Sequence, residues 1–101
     1  MRDIPDALPG ADLIREGFED LERGVESIPA LLVLIGAPRL RRLGFDAPDT
    51  EDFPEDRLYA QLSAVYGNDA HSKYNALIRT LVSFERAMEC AESRARALAQ
   101  G

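Results

Sequence analysis

The stretch AHSKYNALIRTLVSFERAMECAESRARALAQ, residues 70–100, sets the architecture of this chain. Its apolar residues recur at alternating intervals of four and three positions. They are Ala70, Tyr74, Leu77, Leu81, Phe84, Met88, Ala91, Ala95 and Leu98. A β-strand alternates with period two, whereas this spacing gathers all of these residues on one face of an α-helix. The sequence therefore predicts one C-terminal helix of about 31 residues, which would be about 46 Å long.

Three shorter helices are predicted ahead of the C-terminal one. The first repeats the same spacing at Ala11, Ile14, Phe18, Leu21 and Val25. The second follows a capping serine, Ser27, and is apolar on every side, which is typical of a central core helix. The third runs from about Pro54 to Tyr66. Pro38 cannot donate a backbone hydrogen bond, so we expect it to interrupt the second helix and leave a short extra helical turn at residues 38–43.

These elements predict an all-α fold, a four-helix bundle-like domain with a long C-terminal helix. The expected core contains Ile14, Phe18, Leu21, Leu31, Leu32, Ile35, Leu58, Leu62, Leu77, Leu81 and Phe84. Phe45 and Phe53 are expected to turn inward at the two ends of a loop rich in proline and acids. Gly10, Gly17 and Gly24 are interpreted as a helix start, a tolerated interior glycine and a helix stop. A groove where another helix approaches closely is the alternative.

Composition favours one domain spanning residues 1–101, because 46% of the residues are hydrophobic and 30% are charged. A single cysteine excludes an internal disulfide, which fits a reducing compartment. The first residues lack the basic and apolar regions of a signal peptide. The most apolar run, residues 28–37, has about half of the ~20 residues that cross a bilayer. We therefore expect a cytoplasmic protein with no membrane partner.

The charge distribution bears on nucleic-acid binding. The net charge is −6, which disfavours contact with a phosphate backbone. A local basic block nevertheless contains Arg39, Arg41 and Arg42, and residues 46–56 carry six acids and no base. A nucleic-acid contact through the three arginines is therefore the weakest of the functions considered. The other interpretation is that these arginines pack on the acidic loop.

The start of the last helix offers the best candidate for ligand chemistry. His71, Lys73, Tyr74 and Asn75 follow one another closely there. Free amides at a helix start, together with Lys73, could hold an anion, with His71 acting as acid or base. The alternative is an ordinary capped helix start. With one histidine and one cysteine, the chain offers no multi-histidine metal site, and we predict no metal, no cofactor and no catalytic residues.

The leading functional hypothesis depends on the length of the last helix. The other predicted helices are only about 15–25 Å long, so they cannot cover it side by side. Its far half carries a narrow seam, Met88, Ala91, Ala95 and Leu98, which suits one close helical neighbour. We predict a small interaction or assembly protein, a homodimer or a complex with another protein, formed through this seam. The alternative is that the first helix covers the far half within one chain.

Overall fold

The computed structural model describes residues 3–50 and 52–100. The helices are α1 (Ala11–Glu22), α2 (Ile28–Arg42), α3 (Pro54–Tyr66) and α4 (Ala70–Gln100), with a short 3-10 turn at Gly67–Asp69. These described ranges contain no β-strand. The all-α class is therefore confirmed, whereas a four-helix bundle arrangement stays a prediction. The last helix is continuous over its 31 residues, as its apolar periodicity predicts.

Helix α2 forms the centre of the core. It contacts α1, α3 and α4, and only its C-terminal part, from Pro38 onwards, has exposed residues. Its buried residues are Ala30, Leu31, Leu32, Val33, Leu34, Gly36, Ala37 and Leu40. The Ser27 hydroxyl caps it, accepting from the Ala30 amide at 3.2 Å and donating to Asp20 Oδ2 at 2.6 Å. That pair of bonds ties the end of α1 to the start of α2.

The predicted break at Pro38 is wrong. Helix α2 continues through Pro38 to Arg42, so residues 38–43 do not form a separate turn. The proline lies on the exposed side, while Leu40 and Leu43 beyond it are buried. Burial of two leucines contributes about 1.5–3 kcal/mol each. This offsets the ~3 kcal/mol that a proline costs inside a helix.

Most of the expected core is confirmed. Eight of its members are buried and three, Leu21, Ile35 and Leu77, are partly buried against it. Phe45 is buried as predicted, and its ring lies between those of Phe18 and Phe84, with both centroid distances at 5.9 Å. The prediction for Phe53 is wrong, because its side chain is 74% exposed.

Gly17 also differs from its sequence interpretation. A Cβ added there would lie 2.4 Å from the carbonyl oxygen of Pro29 and 2.5 Å from Val33 Cγ2. Those distances are too short for any side chain, so α1 and α2 approach each other closely at this residue. Gly24 keeps its interpretation as a helix stop, since it has a φ of 72° directly after α1.

Candidate functional site

The last turns of α4 form the most exposed helical surface of the protein. Every described side chain from residue 91 to 99 is exposed, except the half-buried Glu92. Leu98 is 77% exposed, and Ala91 and Ala95 lie on the same face. We call the face formed by Ala91, Ala95 and Leu98 the tip face. The exposure of Leu98 is unusual for a leucine on the apolar side of an amphipathic helix.

The seam predicted from the sequence must be shortened at one end. Met88 is fully buried within the chain's own core, next to Phe84 in the apolar spacing of α4. It therefore has no surface to offer a partner, which corrects its assignment to the interface. Helix α4 therefore packs against the rest of the domain for about one turn more than the sequence predicts, because the contact includes Met88. The uncovered part starts at Ala91.

A concave notch lies beside the tip face. It encloses about 490 Å³ and is lined by Arg42 from the end of α2 and by Ala91, Glu92, Ala95 and Arg96 from α4. The small side chains of the alanines leave room for the backbone of a neighbouring helix. The guanidinium groups of Arg42 and Arg96 lie at its edges. This geometry suits contact with a protein segment.

The start of α4 carries the predicted ligand residues, but they do not converge. His71 Nε2 lies 3.2 Å from Asn75 Nδ2, and the Tyr59 ring of α3 packs near both His71 and Tyr74. Lys73 points elsewhere, with its Nζ 5.0 Å from the centre of the Tyr66 ring. Lys73 and His71 thus pack against different aromatic rings, Tyr66 and Tyr59 respectively.

Two further features of this helix start weaken an acid–base site. The Ala70 amide donates to the Gly67 carbonyl in the 3-10 turn, so that amide is not free for an anion. Burial raises the pKa of the Tyr74 phenol, and the carboxylates of Glu55 and Asp56 raise it further. The phenol therefore stays neutral and is a poor base near neutral pH.

The basic block at the end of α2 is largely neutralised by the chain itself. Arg41 pairs with Asp49 of the acidic loop at 2.7 Å and donates to the Ala47 carbonyl at 3.0 Å. Arg39 reaches across to α4, where it pairs with Glu89 at 2.8 Å and lies 3.6 Å from Glu85. Each of these two arginines would have to exchange its own partners for phosphate oxygens to bind nucleic acid.

A buried carboxylate, Glu85, was not singled out from the sequence. Its side chain is 5% exposed and lies between α2 and α4, 3.3 Å from where a Cβ on Gly36 would be. Its position four residues after Leu81 and three before Met88 puts it at the edge of the apolar seam, a signal that the sequence did contain. Burial raises the pKa of Glu85, whereas Arg39 lowers it; Glu89 raises it and Arg42 lowers it to a smaller extent.

We expect replacement of Glu85 to change how stability depends on pH. Because its pKa is raised on folding, the folded protein binds the proton more tightly than the unfolded chain does. Stability therefore falls as the pH rises above the ordinary pKa of 4.5. Glu85→Gln removes this loss, so the variant should match the unmodified protein below pH 4.5, gain on it as the pH rises to the raised pKa of Glu85, and keep a constant advantage above that pKa. Thermal unfolding across this range measures the difference.

Glu89→Gln is the matched control, since it also faces Arg39 but is half exposed. The control should show a much smaller gain than Glu85→Gln, because Glu89 contributes only a minor part of the raised pKa of Glu85. A Glu85→Gln variant that loses stability relative to the unmodified protein as the pH rises would contradict the assignment of Glu85 as a carboxylate destabilised by burial.

Other classes of site find no support in the described part of the chain. No group of three or more His, Cys, Asp or Glu residues there could hold a metal ion. Cys90 is exposed and unpaired with another cysteine. None of the described helices is long and apolar enough to span a membrane.

Comparison with models of protein families, with curated proteins and with solved structures gives no match for this chain.

Proposed function

We propose that this chain is a small non-enzymatic interaction module of the cytoplasm, a four-helix bundle-like domain that self-associates through the tip face of α4. The observation that carries the proposal is the exposure of Leu98, 77%, at the end of a helix whose apolar seam is buried or partly buried as far as Met88. A second copy is the partner because a surface on an α-helix can pair with itself across a two-fold axis.

The dimensions of the molecule favour pairing of two copies over the alternative that α1 covers the end of α4 within one chain. The protein is 52 Å long but only 26 and 21 Å across, so α4 extends beyond the other helices. Helix α1, the candidate for covering the far half, makes its main contacts with α2. The tip face is consequently open to solvent. Pairing of two tips would remove both copies of Leu98 from water, which stabilises the pair by about 1.5–3 kcal/mol for each leucine.

The size of the tip face determines how tightly two copies are expected to bind each other. Stable interfaces bury about 800 Å² on each partner. A leucine and two alanines supply only part of that area, and the notch beside Arg42 must supply the rest. We therefore expect a dimer that dissociates at micromolar concentration rather than a permanent one.

Substitution of Leu98 with glutamate tests the proposal. Leu98→Glu places a charge in the tip face without touching the core, so we expect a monomer whose thermal stability at low concentration is unchanged. Val65→Glu is the matched control, because Val65 is a 66% exposed apolar residue on α3. Light scattering at high micromolar concentration should show loss of the dimer for Leu98→Glu only. Equal masses for both variants and the unmodified protein would refute the proposal.

The other two functional hypotheses have less support. A ligand site centred on His71, Lys73 and Tyr74 needs these side chains to converge, whereas the Lys73 ammonium group lies over the Tyr66 ring and the His71 and Tyr74 rings lie beside Tyr59. A nucleic-acid contact through Arg39, Arg41 and Arg42 competes with the ion pairs that Arg39 and Arg41 already make.

A further inference from the structure

An apolar cavity lies at the other end of α4, away from the tip face. It has a volume of about 300 Å³, and all four α-helices contribute to its apolar wall: Leu13 from α1, Ile28 from α2, Leu62 from α3, and Leu77 and Ala76 from α4, with Thr80 of α4 beside them. Tyr66 and Lys73 also line it. Both side chains are exposed, which places them at its solvent edge.

The charge at this edge is not neutralised. Lys73 is the single lysine of the chain, and it makes no ion pair with any residue that the structure describes. Its ammonium group lies 5.0 Å from the centre of the Tyr66 ring, an arrangement that is favourable for a cation over an aromatic face. The ring thereby holds the ammonium group beside the apolar opening. An apolar pocket with one cation at its edge is complementary to a molecule with an apolar chain and one anionic head.

We propose that this cavity binds a short aliphatic carboxylate, with its chain against Leu13, Ile28, Leu62 and Leu77 and its carboxylate on Lys73. The cavity is at the lower end of the ~300–1,000 Å³ range of small-molecule pockets, which favours a short chain over a long fatty acid. A cationic head would be repelled by Lys73. A neutral alcohol would gain only the burial of its chain. The proposal is independent of self-association, because none of the cavity residues belongs to the tip face.

The single lysine provides a direct probe. Reductive methylation with ¹³C-formaldehyde labels only Lys73 and the chain's α-amino group, and it keeps the positive charge of lysine. Titration of the labelled 101-residue chain with octanoate should shift the Lys73 methyl signal to saturation, while the α-amino signal serves as the internal reference. Octanol and octylammonium are the matched ligands with no charge and with the opposite charge.

The expected affinities discriminate between the classes of ligand. Each methylene removed from octanoate should weaken binding about three- to fourfold. Octanoate should bind about fivefold more tightly than octanol, and octylammonium should bind more weakly than either. In calorimetric titrations Lys73→Gln should lower the affinity for octanoate about fivefold, whereas Arg79→Gln, which removes another exposed cation of α4, should change it less than twofold. An unshifted Lys73 signal, or octanol binding as tightly as octanoate, would overturn the proposal.

Discussion

Replacement of Gly17 with alanine should destabilise the protein by about 3 kcal/mol, at the upper end of the usual effect of overpacking. The added Cβ would meet the carbonyl oxygen of Pro29 at 2.4 Å and its carbonyl carbon at 2.9 Å. These are backbone atoms at the start of α2, so they cannot rotate aside as a side chain could. The two helices would have to separate, and the core between Phe18 and Val33 would open. Urea unfolding followed by circular dichroism measures the loss.

Gly36→Ala is the matched control. Gly36 is also a helical glycine, but its added Cβ would meet the ends of a flexible side chain, Leu81 Cδ1 at 2.9 Å and Cδ2 at 3.1 Å. Alanine also favours a helix over glycine by about 0.5–1 kcal/mol. We therefore expect Gly36→Ala to lose much less stability than Gly17→Ala. Equal stability of Gly17→Ala and the unmodified protein would show that α1 and α2 do not approach as described.

Replacement of Phe84 with alanine should destabilise the protein by about 3–5 kcal/mol, through lost burial and the cavity left behind. Phe84 is fully buried and packs against the Phe45 ring at 5.9 Å, where α4 meets the segment after α2. Small domains are stable by about 5–15 kcal/mol, so this change removes a large part of the total. The same urea unfolding experiment measures it.

Phe53→Ala provides the comparison within one residue type. The Phe53 side chain is 74% exposed, so its removal should change the free energy of unfolding by less than about 0.5 kcal/mol. If both phenylalanine variants lose the same stability, then the loop that carries Phe53 is packed differently from the structure described here.

Periodicity in the sequence was sufficient to locate the helices. The apolar spacing from Ala70 to Leu98 required a long helix, and the structure has it over Ala70–Gln100. The apolar run after Ser27 required a buried helix, and seven of the eight residues from Ala30 to Ala37 in α2 are buried. These signals are reliable because they are local: the repeat of 3.6 residues per turn and the capping serine act within a few positions of the chain.

The predictions that are wrong depend on contacts between segments that are far apart in the sequence. Local sequence shows the steric defect at Pro38 but not the burial of Leu40 and Leu43 that offsets it. It shows that Gly17 weakens a helix but not that Pro29 lies against it. Phe53 is apolar, yet whether an aromatic side chain in a loop finds a covered position depends on where the loop crosses the surface. Such outcomes are fixed by tertiary packing, which overrides local propensity.

The candidate sites also divide into features that local sequence predicts and features that depend on contacts between distant segments. Helix lengths favoured an uncovered end of α4, with coverage by the first helix as the alternative, and the boundary of the uncovered seam lies at Ala91 rather than Met88. The divergence of Lys73 from His71 depends on which neighbour each side chain meets, namely Tyr66 for Lys73 and Tyr59 for His71. The cavity edged by Lys73 was not predicted, because its walls come from every long helix.

Sedimentation equilibrium of the unmodified 101-residue chain, from low to high micromolar concentration, is the decisive test of self-association. The chain has a mass of 11.2 kDa. We expect the weight-average mass to rise with concentration towards twice that value, and to stay at the value of one chain for Leu98→Glu. A mass that remains at one chain throughout the range for the unmodified protein would contradict the proposal that the tip face of α4 joins two copies.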